Sequence, residues 1–147
     1  VPRKIICEQY MTDKAHAIDE TTEELRDYKF FCFNGKVKCF KVDFDRFIEH
    51  KANYYDVNKQ LLPFGEKNCP PDFNKEIEFP QCLDQMISLA EKLSCNIPFL
   101  RVDFYSVENR ILFGEMTFYP ASGFGPFVPD EWDEILGTWL GLFSNIT

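Results

Sequence analysis

The sequence contains few residues that could hold a transition metal through sulfur and nitrogen. It has six cysteines and two histidines, and no two cysteines form a C-x-x-C pair. A structural zinc site normally takes four such ligands at characteristic spacings, so we expect none here. The cysteines behave instead as small apolar residues, which is typical of a reduced, cytoplasmic protein.

Positive charge and long apolar runs are also scarce. Lysine and arginine total 16 against 24 acidic residues, which gives a net charge of −8. Proteins that bind nucleic acid usually present a basic surface, so we expect no nucleic-acid partner. No apolar run approaches the length of a bilayer and the N-terminus shows no signal-peptide pattern, so the sequence predicts no transmembrane segment.

Apolar residues are plentiful enough for one globular domain. Of the 147 residues, 45% are hydrophobic and 16 are phenylalanine, and a chain of this length can bury a substantial core. The chain begins Val-Pro-Arg-Lys without a methionine. We therefore expect it to be a piece of a longer protein.

The clearest local pattern is a hairpin formed by residues 28–33 and 36–42. An Asn-Gly pair at 34–35 separates the two β-rich runs, and this pair favours a tight type I′ turn. The turn would pair Phe30 with Cys39. Lysines on both strands predict that the hairpin lies near a solvated edge of the sheet.

A second hairpin is predicted from alternating apolar and polar residues over 99–105 and 111–120. A three-residue loop between the strands would pair Val107 with Ile111. This register sets the alignment of every polar residue further along the hairpin.

Four polar side chains would then share one face of the second hairpin. In this register Asp103 faces Glu115, and Arg101 faces Thr117. Carboxylates directly opposite each other repel and destabilise a sheet. A Mg²⁺ ion between them would remove the repulsion, since it prefers carboxylate and water oxygens. A salt-bridge cluster around Arg101 explains the same pattern equally well.

The remaining segments complete an α+β prediction. Residues 12–26 are polar and predict an exposed excursion, 43–58 an aromatic-rich loop, and 61–80 a proline-rich surface linker. Apolar residues recur at helical spacing over 80–95 and 132–143. We expect an antiparallel sheet of hairpins with the helices packed on one face.

Three separated motifs resemble those of ATP-grasp enzymes. ICEQYM at 6–11 resembles their hinge strand, RVD at 101–103 their Arg-x-Asp strand, and GEMTFYP at 114–120 their Glu-x-Asn-x-x-Pro strand. Nearly the whole chain is similar to the TupA-like branch, which is associated with teichuronopeptide and exopolysaccharide biosynthesis. The three motifs in this order are far more specific than any one of them.

The resemblance implies ATP as a cofactor, bound along the hinge. Glu8 would face the adenine amino group, Asp27 would bind the ribose hydroxyls, and Lys51 or Arg46 would contact phosphate. The implied nucleotide-binding residues are Glu8, Gln9, Tyr10, Met11, Asp27 and Lys51.

The resemblance also implies Mg²⁺ and a place for the substrates. Arg101 would be catalytic and meet the phosphates or the reacting acyl group, and a loop with Gly123 and Gly125 would line the acceptor site. Thr117 stands where the family has asparagine, which leaves open whether one or two metal ions bind. The implied metal ligands are Asp103, Glu115 and Thr117.

The reaction implied is that of a carboxylate–amine ligase, or of a ligase with another nucleophile. A carboxylate would attack the γ-phosphate of ATP, and the nucleophile would displace phosphate from the resulting acyl phosphate. Substrates would be small molecules or polymer ends in cell-surface polysaccharide synthesis. Two alternatives stay open: a non-catalytic nucleotide-binding scaffold, and a protein associated with a glycosyltransferase in polysaccharide biosynthesis.

The resemblance begins at the hinge. ATP-grasp enzymes hold ATP between two lobes, and their phosphate loop precedes the hinge. We therefore expect residues 1–147 to be a single domain, the C-terminal lobe, with the N-terminal lobe as a missing partner. Such a piece should fold but should be inactive alone.

Overall fold

The computed structural model describes residues 2–5, 7, 11 and 25–141. The hinge residues Glu8, Gln9 and Tyr10, and most of the predicted excursion over 12–26, lie outside the described residues. Neither helix of the described ranges is long and apolar enough to cross a membrane.

An antiparallel sheet with the strand order β3-β2-β1-β5-β6 forms the centre of the fold, and β4 pairs with β7 in a small second sheet. This arrangement confirms the predicted α+β class. The strands are β1 Asp27–Phe33, β2 Lys36–Phe44, β3 Lys51–Asp56, β4 Gly65–Glu66, β5 Phe99–Val107, β6 Arg110–Thr117 and β7 Phe127–Val128, and the helices are α1 Leu83–Leu93 and α2 Glu131–Leu140.

The first hairpin has the predicted turn but not the predicted position in the sheet. Asn34 and Gly35 have φ of 51° and 77°, as a type I′ turn requires. A bulge at Lys38 of β2, opposite the step from Phe31 to Cys32, pairs Phe31 with Cys39, so the predicted partner, Phe30, is wrong. β1 lies at the centre of the sheet rather than near an edge, because β5 pairs along its other side.

The two helices cover opposite faces of the sheet, which corrects the prediction that both pack on one face. β1 carries apolar side chains on both faces of the sheet, so both faces must be covered by other elements. Phe30 lies in the cluster under α1, whereas Phe31 lies in the cluster under α2. The tryptophans of α2 pack inwards as predicted: Trp132 stacks on Phe64 at 4.0 Å and Trp139 meets Phe33 at 5.6 Å.

Two segments predicted as loop or linker are more ordered than the sequence indicates. Residues 52–55 in β3 are all buried, so they show no alternation of apolar and polar residues that would reveal a strand. In the 61–80 segment Phe64 is completely buried. Asn53 of β3 also holds Asp72 through hydrogen bonds of 2.7 and 2.9 Å.

Candidate functional site

The turn of the second hairpin is one residue shorter than predicted. Glu108 and Asn109 both have positive φ and form a two-residue turn, so Val107 pairs with Arg110 instead of Ile111. Two-residue turns of this hand match the twist of the strands they join. The predicted register is therefore wrong near the turn.

A bulge in β6 restores the predicted register where the polar residues lie. Gly114 and Glu115 together lie opposite Asp103, and beyond them Arg101 pairs with Thr117 as predicted. A bulge redirects side chains of its strand. Here Glu115 points to the face that carries Asp103, which the contacts of Arg101 demonstrate.

Arg101 lies at the centre of this carboxylate cluster, which comprises Arg101, Asp103, Glu115 and Thr117. Its Nε and Nη2 donate to Asp103 Oδ1 and Oδ2, each at 2.8 Å. Nη2 also donates to Glu115 Oε1 at 2.6 Å and to Thr117 Oγ1 at 3.1 Å. Burial lowers the pKa of Arg101, but the two carboxylates raise it by more, so the net direction is upward.

Lys29 and Arg46 extend the carboxylate cluster across the sheet. Lys29 Nζ lies 2.5 Å from Asp27 Oδ2 and 2.7 Å from Asp103 Oδ2. Arg46 Nη2 lies 2.8 Å from Asp27 Oδ2 and 3.3 Å from Asp43 Oδ2. Burial lowers the pKa of Lys29, and its two carboxylate neighbours outweigh this effect and raise it. Neither Lys29 nor Asp43 is among the site residues predicted from the sequence.

The predicted nucleotide residues are distributed unevenly around this cluster. Asp27 is buried and joined to it, although its Oδ1 has no hydrogen-bond partner among the described residues. Lys51 pairs instead with Glu49 at 3.3 Å. Of the two cations predicted to contact phosphate, Arg46 is therefore joined to the carboxylate cluster through Asp27, whereas Lys51 pairs outside it. Met11 is half-buried.

The cluster adjoins a cavity of about 340 Å³ between the sheet and α2. Arg101 lines it together with Gly123 and Gly125, so the structure brings the predicted acceptor loop to the predicted catalytic arginine. Lys41 and Glu66 line it as well, and the sequence does not single them out. Lys41 belongs to β2 of the central sheet and Glu66 to β4 of the small second sheet, and only the packing of the two sheets reveals that they meet.

The oxygens around Arg101 Nη2 fit a magnesium ion. Two carboxylates and a hydroxyl, from Asp103, Glu115 and Thr117, converge on this one cationic atom, and such hard oxygens are the ligands that Mg²⁺ prefers. In the structure the guanidinium of Arg101 supplies the positive charge between the carboxylates. This is the arrangement that the alternative of a salt-bridge cluster predicts. The donor set is therefore chemically suitable for a metal that shares the anions with Arg101.

A second group of possible metal ligands lies nearby. Ligand atoms of Asp43, His50 and Cys69 lie within 4.8 Å of one another. Asp43 is also 3.3 Å from both Lys41 and Arg46, so cations already balance its charge. Burial raises the pKa of the Cys69 thiol to about 11, which opposes formation of the thiolate that a metal would bind.

The family model described as TupA-like ATPgrasp matches residues 1–140. The match includes every strand and helix described above and all four residues of the carboxylate cluster. No curated protein and no solved structure matches the chain.

Proposed function

Because the chain belongs to the TupA-like ATP-grasp family, we propose that it provides the metal and acceptor side of an ATP-dependent carboxylate–amine ligase site. The observation that carries this proposal is the convergence of Asp103, Glu115 and Thr117 on Arg101 Nη2. Three oxygens from two strands around one cation are an arrangement suited to transferring a phosphoryl group with its charges neutralised.

Asp103, Glu115 and Thr117 would hold Mg²⁺, which when bound neutralises phosphate charge and polarises the phosphoryl oxygens. Arg101 would orient the γ-phosphate or the acyl group through its planar, multiply donating guanidinium. Lys29 holds Asp103 from the central strand and so fixes the position of this carboxylate. These residues position charge; none needs to transfer a proton in the phosphoryl step.

The reaction proceeds in two displacements. An oxygen of the carboxylate substrate attacks the γ-phosphorus of ATP, the bond to the bridging oxygen breaks, and ADP leaves. The amine nitrogen then attacks the acyl carbon and phosphate leaves, which forms an amide. We propose that this chemistry serves the synthesis of cell-surface polysaccharide or teichuronopeptide, with which the resemblance associates this branch.

Nucleotide contacts complete the proposal. Glu8 to Met11 would bind adenine along the hinge, and Asp27 would meet the ribose. Arg46 is better placed than Lys51 to contact phosphate, since Arg46 binds Asp27 directly. A nucleotide phosphate near Arg46 would compete with Asp27 and Asp43 for this guanidinium.

The test follows ADP formation by the full-length protein, with MgATP and a panel of carboxylates and amines. We expect Asp103→Asn to lower turnover by about a hundredfold or more, since several kcal/mol of charge stabilisation would be lost. Asp84→Asn is the matched control, because Asp84 is exposed on α1. Turnover by Asp103→Asn at the control rate would reject the proposal, and nucleotide binding without any ADP formation would support a scaffold instead.

A further inference from the structure

The cavity beside Arg101 has an apolar body. It lies under α2, on the face of the sheet opposite α1. Its volume of about 340 Å³ falls in the range of small-molecule sites. Glycine, alanine and proline of the 120–125 segment close one side. The apolar side chains that line it are Phe31, Phe33, Phe99, Phe127, Leu136 and Leu140.

Charges of both signs line this cavity: Lys41, Glu66 and Arg101 belong to strands, and Asp133 belongs to α2. Lys41 is buried, and its Nζ lies 3.1 Å from Glu66 Oε1 and 3.3 Å from Asp43 Oδ1. Glu66 Oε1 also accepts a hydrogen bond from Tyr54 at 2.5 Å. An ammonium group has three donors, so Lys41 retains one beyond these two partners. Glu66 Oε2 makes no hydrogen bond within the part of the chain that the structure describes.

We propose that the cavity binds an α-amino acid with an apolar side chain, which serves as the amine substrate. The inference rests on the proposed ligase function. The ligand carboxylate would take the remaining donor of Lys41, and its ammonium would donate to Glu66 Oε2. The apolar side chain would lie among the phenylalanines. An acidic side chain such as that of glutamate is disfavoured, because burying its charge among these rings carries a large desolvation cost.

The position of the cavity suits an acceptor. Arg101 lines it and also belongs to the carboxylate cluster, so a ligand in the cavity would lie beside the residue that we propose orients the acyl phosphate. The ammonium gives one proton to Glu66, and the nitrogen lone pair attacks the acyl carbon. The bond from this carbon to the phosphate oxygen breaks, and phosphate leaves with the electron pair and takes the second proton from nitrogen.

The experiment is calorimetric titration of the protein with L-phenylalanine in the absence of nucleotide. Three compounds test the proposed contacts one at a time. L-glutamate carries an acidic side chain, 3-phenylpropionate lacks the ammonium, and 2-phenylethylamine lacks the carboxylate. We expect L-phenylalanine to bind at least about tenfold more tightly than each of them, as loss of a charged hydrogen bond predicts.

Two variants separate the polar from the apolar contacts. Glu66→Gln should lower the affinity for L-phenylalanine about tenfold or more but leave the affinity for 3-phenylpropionate unchanged. Leu140→Gln should lower the affinity for both ligands. Leu93→Gln is the matched control for the latter: Leu93 ends α1 as Leu140 ends α2, and it is exposed on the other side of the molecule. Circular dichroism verifies that each variant is folded.

The outcomes distinguish the two proposals. Tighter binding of L-glutamate, no binding of L-phenylalanine, or unchanged affinity in both cavity variants would overturn the amino-acid inference. ADP formation that depends on other amines would then leave the ligase function standing. Binding of L-phenylalanine with the expected variant effects, in a protein that forms no ADP with any acid, would support the cavity and refute the ligase.

Discussion

Lys29 Nζ lies 2.7 Å from Asp103 Oδ2 across the β1–β5 pair. The lysine side chain is only 12% exposed, and the carboxylate 1%. Since Lys29 also contacts Asp27, one cation from the central strand bridges two buried anions, which Arg101 and Arg46 contact as well. The central strand thus helps to fix the position of a candidate metal ligand.

Replacing Lys29 by methionine should destabilise the fold strongly. Asp27 and Asp103 would be left with less compensation in a buried setting, and breaking a buried pair typically costs about 3 to 5 kcal/mol. Lys38→Met is the matched control, since Lys38 is exposed on the adjacent strand. Urea unfolding measures both variants. Equal losses in the two would show that Lys29 does not stabilise the cluster.

The Lys29 contribution should depend on pH in one direction. Its pKa is raised above the ordinary value of 10.5 in the folded protein. Stability from this lysine is therefore fully present below pH 10.5 and is lost as the pH rises through the higher folded value. We expect the difference in free energy of unfolding between the native protein and Lys29→Met to hold steady from pH 7 to 10 and to shrink above pH 10.5. A difference that grows at alkaline pH would contradict this direction.

Gly114 should resist substitution because its backbone approaches β5 closely. A Cβ there would lie 3.0 Å from the backbone oxygen of Asp103 and 3.0 Å from the ring of Tyr105. Gly114→Ala should therefore destabilise the protein by about 1 to 3 kcal/mol and shift the bulge that directs Glu115. Thermal unfolding gives the first effect and Mn²⁺ affinity the second. Native values for both would mean that the bulge does not depend on this glycine.

Asn53 should be essential for holding the 61–80 segment against β3. Its side chain binds both the carbonyl and the N–H of Asp72, and Asn53→Ala would leave these groups unpaired at a cost of about 1 to 3 kcal/mol. Asn74→Ala, at an exposed position of the same segment, should be close to neutral. If limited proteolysis cut the two variants in this segment equally fast, the segment would be anchored by other contacts.

The polar face of the second hairpin could be predicted from the sequence in spite of a wrong turn. The shorter turn and the bulge each move the register by one residue, in opposite directions, so Arg101 still pairs with Thr117. A bulge depends on tertiary contacts such as the close approach of Gly114 to β5, which alternation alone does not reveal. The motif resemblance located the same residues independently of register.

Other parts of the site depend on how distant segments meet. Lys29 and Lys41 resemble solvated lysines in the sequence. In the structure Lys29 is largely covered on β1, between β2 and β5, and Lys41 is buried on β2, between β1 and β3. Glu66 lies in a segment that reads as a linker, yet it pairs with Lys41 and Tyr54. Long-range strand order decides such contacts, and local propensity carries no information about it.

The central claim is that Asp103, Glu115 and Thr117 form a metal site rather than a salt-bridge cluster alone. Electron paramagnetic resonance of Mn²⁺, a probe for Mg²⁺, measures this directly in the native protein, in Glu115→Gln and in Glu108→Gln. Glu115 and Glu108 are both exposed glutamates of the same hairpin, but Glu108 lies at its turn. We expect Glu115→Gln to lower the affinity for Mn²⁺ about tenfold or more, and Glu108→Gln to bind Mn²⁺ with the affinity of the native protein. Equal Mn²⁺ affinity in all three proteins would contradict the claim and leave Arg101 as the only cation of the cluster.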